Sequence, residues 1–268
     1  MKPSAMPPED TVMNTKVISL VSVGAHPTSG RARRAEQDSR AVELGLQLAG
    51  GELRVLHAGD ANEPALRAYM GMGLDSLHVL ENPAGSDALP ALADYLRVAG
   101  AQVVLTGSQA ETGEGSGMLP FLLAEKLGWP VIVGLAEVES ISNGVAQVLQ
   151  ALPRGQRRRL KVRLPMLATV DNAAPKPRQS AYGPAQRGTF EVDEVEIVED
   201  ELFVTAALQA AKPRPKRLKV IKAKSGADRM KAATAKASGG GGQVLKGVSA
   251  EEGAAAILKL LVEEGVVR

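Results

Sequence analysis

The 268-residue chain holds 32 Lys+Arg, 30 Asp+Glu, three His and no Cys, which excludes disulfides, thiolate metal sites, cluster ligation and a Cys nucleophile and leaves a reducing compartment as the simple expectation. The net charge of +2 divides unevenly: residues 201–268 carry 13 basic and 6 acidic residues, so the tail is +7 and residues 1–200 are −5. Three Tyr, three Phe and one Trp offer little to stack on bases and no nucleic-acid motif accompanies the basic tail, so the expected use of that charge is docking on an acidic protein surface.

Met1–Asn14 is Pro-rich, polar and partly acidic rather than a signal peptide, and no apolar run approaches the ~20 residues that span a bilayer; a soluble, cytoplasmic protein is expected. His26, His57 and His78 are scattered without ligand spacing, so no metal site is expected. Lys16–Val23 (KVISLVSV) is the first predicted strand, and Gly24–Arg34 a polar loop. A helix follows, with Ala41, Leu44 and Leu48 toward the core and Gly50 and Gly51 as its stop. Leu53–His57 is the second strand and leaves through the small residues Ala58, Gly59, Asp60 and Ala61. A second helix carries Leu66, Tyr69 and Met70 and ends at Gly71 or Gly73, ahead of the short strand Ser76–Val79. A third, from about Asp87, places Leu89, Leu92 and Leu96 on one face and stops at Gly100.

The next stretch organises the rest. Val103, Val104 and Leu105 read as a strand buried on both faces, and a Gly/Ser/Thr-rich loop then opens directly into a helix. That helix has Leu119, Leu122, Leu123 and Leu127 on one face, and Gly128 and Pro130 end it before Val131–Val133. The pattern then becomes antiparallel: Leu135–Ser140, an Asn143-Gly144 turn after Ser142, and Val145–Leu152. Arg154, Arg157, Arg158 and Arg159 precede an alternating strand with Leu160, Val162 and Leu164 on one face and Lys161 and Arg163 on the other, most simply a solvated strand face. Met166–Val170 is another apolar strand, and Asp171–Gly188 a long Pro/Gly-rich surface loop carrying Tyr182.

Alternating strands and helices predict an α/β fold, a doubly wound parallel sheet of the Rossmann-like, adenine-nucleotide-binding type, with a small antiparallel extension and a C-terminal arm. The loops after the first, second and fourth strands are all small or polar at one carboxyl edge, which suits the phosphates of an adenine nucleotide; the alternative is that Gly and Ser merely terminate strands. We expect a flexible stretch over residues 1–15, a nucleotide-binding domain over 16–200, and a basic linker and helical arm over 201–268.

The chain resembles the beta subunit of the electron transfer flavoproteins over about Lys16–Val192 and again in its last twenty-odd residues. The carriers are the first strand, RAVELGL (Arg40–Leu46), MGMGLDSLHVLE (Met70–Glu81), VVLTGSQA (Val103–Ala110), LAEKLGWP (Leu123–Pro130) and PMLATVDNAAPKPR (Pro165–Arg178). The resemblance implies no enzyme active site, AMP or a second FAD in this chain, and an alpha subunit that binds the working FAD. It implies electrons taken from flavin dehydrogenases and passed to a quinone oxidoreductase at a membrane. The family's nucleotide site falls on Leu20, Val21 and Ser22, on Ala58, Gly59 and Asp60, on Gly107, Ser108 and Gln109, and on Gly115, Ser116, Gly117 and Met118.

Ser108 replaces the commoner Lys, Glu111–Leu119 (ETGEGSGML) replaces an Asp cluster followed by Asn-Gln-Thr, and Ala35, Glu36 and Gln37 stand where the family has Asn-Pro-Phe. Phosphate contacts are then expected on the N–H groups of Gly115, Ser116 and Gly117, and a branched residue at Gly117 is expected to obstruct them. The family's partner-recognition loop falls on Arg178–Gly183, with Tyr182 at or beside the apolar anchor; a packed loop anchor is the other reading. Lys212–Gly242 reads as a linker that does not pack alone. Ser249 and Glu252 form a capping box ahead of a helix whose Ala254, Ile257, Leu258 and Leu261 share a face, the arm expected to cross to the alpha subunit. The rivals from other classes are a nucleotide-hydrolysing or ATP-pyrophosphatase-like enzyme, for which the SGGxDS pattern is missing, and a nucleotide-sensing module.

Overall fold

A computed structural model describes residues 15–207, 209–210, 225–234 and 245–263. The chain divides into two compact units, Met1–Ala207 and Leu208–Arg268.

In the first unit the apolar runs become β1 (Val17–Leu20), β4 (Arg54–Gly59), β5 (Ser76–Glu81), β6 (Val103–Gly107) and β10 (Met166–Val170). All pair in parallel. β7 (Val131–Ser142), β8 (Val145–Ala151) and β9 (Arg157–Arg163) complete one end and β11 (Thr189–Glu194) the other. The nine-stranded order is β11-β5-β4-β1-β6-β10-β7-β8-β9, so the winding reverses between β1 and β6. Helices α1 (Glu36–Ala49), α2 (Arg67–Met70), α3 (Leu89–Ala99) and α4 (Leu119–Leu127) connect the strands. One core cluster gathers Val17, Leu44, Val55, Tyr69, Leu105 and Met166; another gathers Ile18, Leu56, Leu92, Leu96, Val104, Leu123 and Leu167. Odd and even residues of the same strands thus feed different clusters, as the two-residue side-chain period requires.

Several expectations are corrected. The stretch after β1 is not a plain loop: β2 (Val23–Ala25) and β3 (Ala32–Arg34) form an antiparallel hairpin. Val131–Ser142 is one strand rather than two, because Gly134, at φ 68°, lets the chain bend and continue. The Asn143-Gly144 turn has positive φ at both residues, as a type I′ hairpin needs. On α4, Leu123 is buried as expected, but Leu119 and Leu122 remain 39% and 45% exposed. The Asp171–Gly188 loop contains a short helix, α5 (Tyr182–Arg187). The segment after β11 turns back, pairs Ser86 with Glu199, and ends in α6 (Glu201–Thr205), capped by Asp200.

In the second unit, α7 (Gly226–Thr234) lies within the stretch read as linker; the Ser225 hydroxyl donates to Asp228 and accepts from its N–H at the helix start. α8 (Ala250–Glu263) has the expected capping box: the Ser249 N–H donates to Glu252 at 2.9 Å, and the Glu252 N–H to Ser249 Oγ at 3.2 Å. Of the linker expectation, residues 211–224 and 235–244 lie outside the described residues.

Candidate functional site: a cleft at the carboxyl edge of the sheet

A cleft of about 510 Å³ opens where the winding reverses, at the carboxyl ends of β1, β4 and β6. This is where open α/β sheets take ligands, since the loops diverge and leave a crevice. Buried Leu20, Leu56 and Leu92 make an apolar floor; Ser22, Thr106, Ser108 and the loop from Gln109 to Met118 make a polar side. Of the expected nucleotide residues, Leu20, Val21, Ser22, Ala58, Gly107, Ser108, Gln109, Gly115, Ser116, Gly117 and Met118 line this cleft. Gly59 and Asp60 are not among the lining residues; Asp60 instead closes the turn after β4 by accepting from the Asn62 N–H at 2.8 Å.

Helix α1 supplies the residues that sequence reasoning missed. Asp38, 5% exposed, accepts from the Ser22 N–H at 2.7 Å and the Ser22 hydroxyl at 2.6 Å through one oxygen, and from the Gly107 N–H at 3.0 Å through the other. Burial pushes its carboxyl up to about 6, although the Ser22 and Gly107 hydrogen bonds pull the other way. Its neighbour Gln37 accepts through Oε1 from the Ser108 N–H at 3.0 Å, the Ser108 hydroxyl at 2.6 Å and the Gln109 N–H at 3.2 Å. Gly107 therefore has a different role from the one its sequence suggests. A Cβ there would collide with Asp38 Oδ1, so the glycine admits the chain's own helix.

Tyr69, fully buried, locks the same corner from α2. Its hydroxyl donates to the Ser22 carbonyl and accepts from the Ala35 N–H, both at 2.8 Å, and burial holds its pKa well above the usual phenol value. Glu111 secures the other side of the loop. It accepts from the first N–H of α1, on Glu36, at 2.8 Å, from Ala25 N–H at 3.1 Å and from the Arg33 guanidinium at 3.1 Å. Thr112 Oγ1 donates to the Val23 carbonyl at 2.6 Å, so the loop is latched to the β2–β3 hairpin at consecutive residues.

Beyond the latch, Gly113, Gly115 and Gly117 have φ of 72°, 62° and 72°. The N–H groups of Gly115, Ser116 and Gly117 have no acceptor among the described residues and stand just ahead of α4. Such a run of free donors ahead of a helix suits an anion, and it faces an apolar floor across the cleft. Gly117 is needed for a further reason: its Cβ would lie 2.8 Å from the Ser108 carbonyl, so obstruction would begin inside the loop rather than at the ligand.

The loop that carries Tyr182 is pinned to β3 and α1 at several points. Arg178 holds Glu43 through Nε at 2.8 Å and Nη2 at 3.0 Å, which keeps the Glu43 carboxyl below its usual range. Arg40 donates to the Ala174 carbonyl at 2.8 Å and Arg34 to the Arg178 carbonyl at 2.9 Å. Tyr182 itself is 81% exposed, which overturns its reading as a packed anchor. On α8, Ile257 and Leu258 are 62% and 56% exposed, and Leu261 is partly exposed. No metal-holding group of three or more His, Asp or Glu occurs among the described residues, and no described helix is long and apolar enough to cross a membrane.

Comparison with known proteins gives the cleft its context. The model of the electron transfer flavoprotein domain matches residues 30–201. The electron transfer flavoprotein subunit beta of Chromohalobacter salexigens is 58% identical over 256 residues, covering 94% of this chain and 96% of the relative. The chain belongs to the electron transfer flavoprotein beta-subunit family. As a beta subunit it is an electron-transfer protein rather than a catalytic enzyme, with FAD in its complex and an alpha subunit as its partner. The first-strand loop of this beta subunit folds as a hairpin, and its Ser22 N–H is already held by Asp38, which leaves no phosphate loop of the hydrolase kind there.

Proposed function

We propose that this beta subunit pairs with an alpha subunit holding the working FAD, takes electrons from flavin dehydrogenases, and delivers them to a quinone oxidoreductase or similar acceptor in the cytoplasm. The carrying observation is the set of exposed apolar groups, Tyr182 on its pinned loop and Ile257 and Leu258 on α8, since apolar side chains left in water gain about 1.5–3 kcal/mol each when a partner covers them. The FAD supplies the electron-carrying chemistry when bound. This chain's residues position the partners: Glu43 and Arg178 fix the loop under Tyr182, and the capping box fixes the start of α8. The cleft takes an adenine nucleotide, with its base on Leu20, Leu56 and Leu92 and its phosphate on the N–H groups of Gly115, Ser116 and Gly117.

Co-purification with the alpha subunit tests this. The expected result is a yellow one-to-one complex whose flavin is reduced by a flavin dehydrogenase with its substrate and reoxidised by the quinone oxidoreductase. Steady ATP or pyrophosphate turnover by the purified chain, or failure to hold an alpha subunit, would overturn it.

A further inference from the structure

We propose that the outward face of β9 is the docking surface for the protein that takes electrons from the complex, and that it meets an acidic patch on that protein. This assignment presupposes the electron route proposed above. β9 ends the sheet, and its register with β8 sets Leu160 and Val162 on the core side and Arg157, Arg159, Lys161 and Arg163 on the solvent side. Alternate strand residues stand about 7 Å apart, so the four cations form a row about 20 Å long. Their cross-strand neighbours on β8 are Val145, Gln147, Leu149 and Ala151, all uncharged. β7 adds Glu137 and Glu139 to this face, and Glu139 is taken by Arg159 at 2.6 and 2.7 Å. Arg157, Lys161 and Arg163 have no acidic partner among the described residues. A strand with one buried face must turn polar residues outward, but solvation alone is served by mixed signs. The shared sign is what points to a partner.

The chemistry of the face points to a transient one. β8 and β9 expose no large apolar side chain, whereas permanent interfaces are hydrophobic. Long cations around half-buried Val145 and Leu149 speed encounter without holding tightly, which suits a carrier that must let go after each transfer. Tyr182 serves a different surface. Its helix α5 leads straight into β11, the strand at the other end of the sheet, eight strand spacings or roughly 35–40 Å away along the sheet. With the dehydrogenase on the Tyr182 loop, β9 is left for the acceptor.

The test follows the heterodimer with its dehydrogenase, and with the quinone oxidoreductase in neutral detergent, over a series of ionic strengths. Arg157→Gln, Lys161→Gln and Arg163→Gln together remove the free cations and leave the Arg159–Glu139 pair in place. Acceptor-side kcat/KM should fall about three- to tenfold at low ionic strength, through KM, and meet wild type at about 0.5 M salt, where exposed charges are screened. Reduction by the dehydrogenase should stay within about twofold of wild type. Lys161→Arg, which keeps the charge, should behave as wild type.

An unchanged acceptor-side rate and salt dependence in the triple variant would overturn the proposal, as would equal losses on the donor and acceptor sides. Loss of the alpha subunit would place the face in the permanent interface instead. Aggregation, with a normal acceptor rate in the heterodimer that stays soluble, would make the cations a guard against edge-to-edge pairing and nothing more. An effect seen only with the oxidoreductase in anionic vesicles would reassign the face to lipid. Failure of wild type to pass electrons from dehydrogenase to oxidoreductase would overturn the electron route and this assignment with it.

Discussion

Asp38→Asn puts the physics of the cleft under direct test. The carboxyl rises from 3.8 to about 6 on folding, so burial disfavours its ionised form by about 3 kcal/mol. The folded state therefore binds the proton more tightly than the unfolded one. This group's contribution to stability is largest near pH 4, falls as pH rises through about 6, and stays low above it. Asn removes that titration. It also removes one acceptor: the amide oxygen can keep the Ser22 N–H and hydroxyl, but the amide nitrogen then faces the Gly107 N–H, at a cost of about 1–3 kcal/mol. The variant should be less stable than wild type at pH 4.5 and close to it, or above it, at pH 8. For a unit of about 200 residues, the part of that difference lost between pH 4.5 and 8, about 2 kcal/mol, corresponds to about 4–8 °C in Tm. Thermal unfolding of nucleotide-free protein in matched buffers measures it. Wild-type and variant Tm curves that run parallel from pH 4.5 to 8 would refute the reasoning, because the carboxylate would then be carrying no burial penalty.

Tyr69→Phe keeps the ring but strands the Ala35 N–H and the Ser22 carbonyl, so a loss of about 1–3 kcal/mol is expected in denaturant unfolding; an unchanged midpoint would show that water replaces the hydroxyl. Glu111→Ala removes the acceptor at the start of α1 and the Arg33 pair, which should cost about 1–2 kcal/mol and weaken nucleotide binding by unlatching the loop; wild-type affinity in the variant would separate the latch from the site. Gly117→Val forces a left-handed residue and a 2.8 Å contact with the Ser108 carbonyl, so the nucleotide should be lost while the exposed loop absorbs the change and the fold persists; full occupancy would place the phosphate elsewhere. A chain ending at Ala207, which keeps α6 whole, should stay folded but lose the alpha subunit, and Leu258→Asp should do much the same; a lowered Tm of the isolated chain with unchanged partner affinity would mean that the tail folds back instead.

The sheet was legible because its signals are redundant. Val103–Leu105 is apolar throughout and follows the helix stop at Gly100, and Met166–Val170 is apolar but for Thr169, so the local cues agree. The errors fall where a local cue is silent. Leu119 and Leu122 have the spacing of a buried face, but α4 begins at the rim of the cleft and its first turn extends past the core, so periodicity overstated their burial. The β2–β3 hairpin has little apolar alternation; it is held by Glu111 and Thr112, which come more than seventy residues later and leave no mark on the local pattern. The helix α7 did carry a signal, Ser225 three residues before Asp228, but the surrounding Lys, Gly and Ala masked it.

The lining of the cleft was largely legible in the sequence, but what its glycines make room for was not. A glycine marks a place where something comes too close for a side chain, but the sequence does not say whether that neighbour is a ligand or the chain itself. At Gly107 it is Asp38, and at Gly117 it is the Ser108 carbonyl. Both glycines lie in the wall, yet the absent side chain makes room for protein in each case. The departures from the family pattern then form one change rather than several. Gln37 and Asp38 fill the crevice from α1 and accept from the N–H groups of Ser22, Gly107, Ser108 and Gln109, so a short hydroxyl at position 108 has an acceptor at hand. The hydroxyl of Ser108, donating to Gln37 at 2.6 Å, suits the position. The acidic Glu111 is likewise used within the fold, where it accepts from the first N–H of α1, a helix end that favours negative charge.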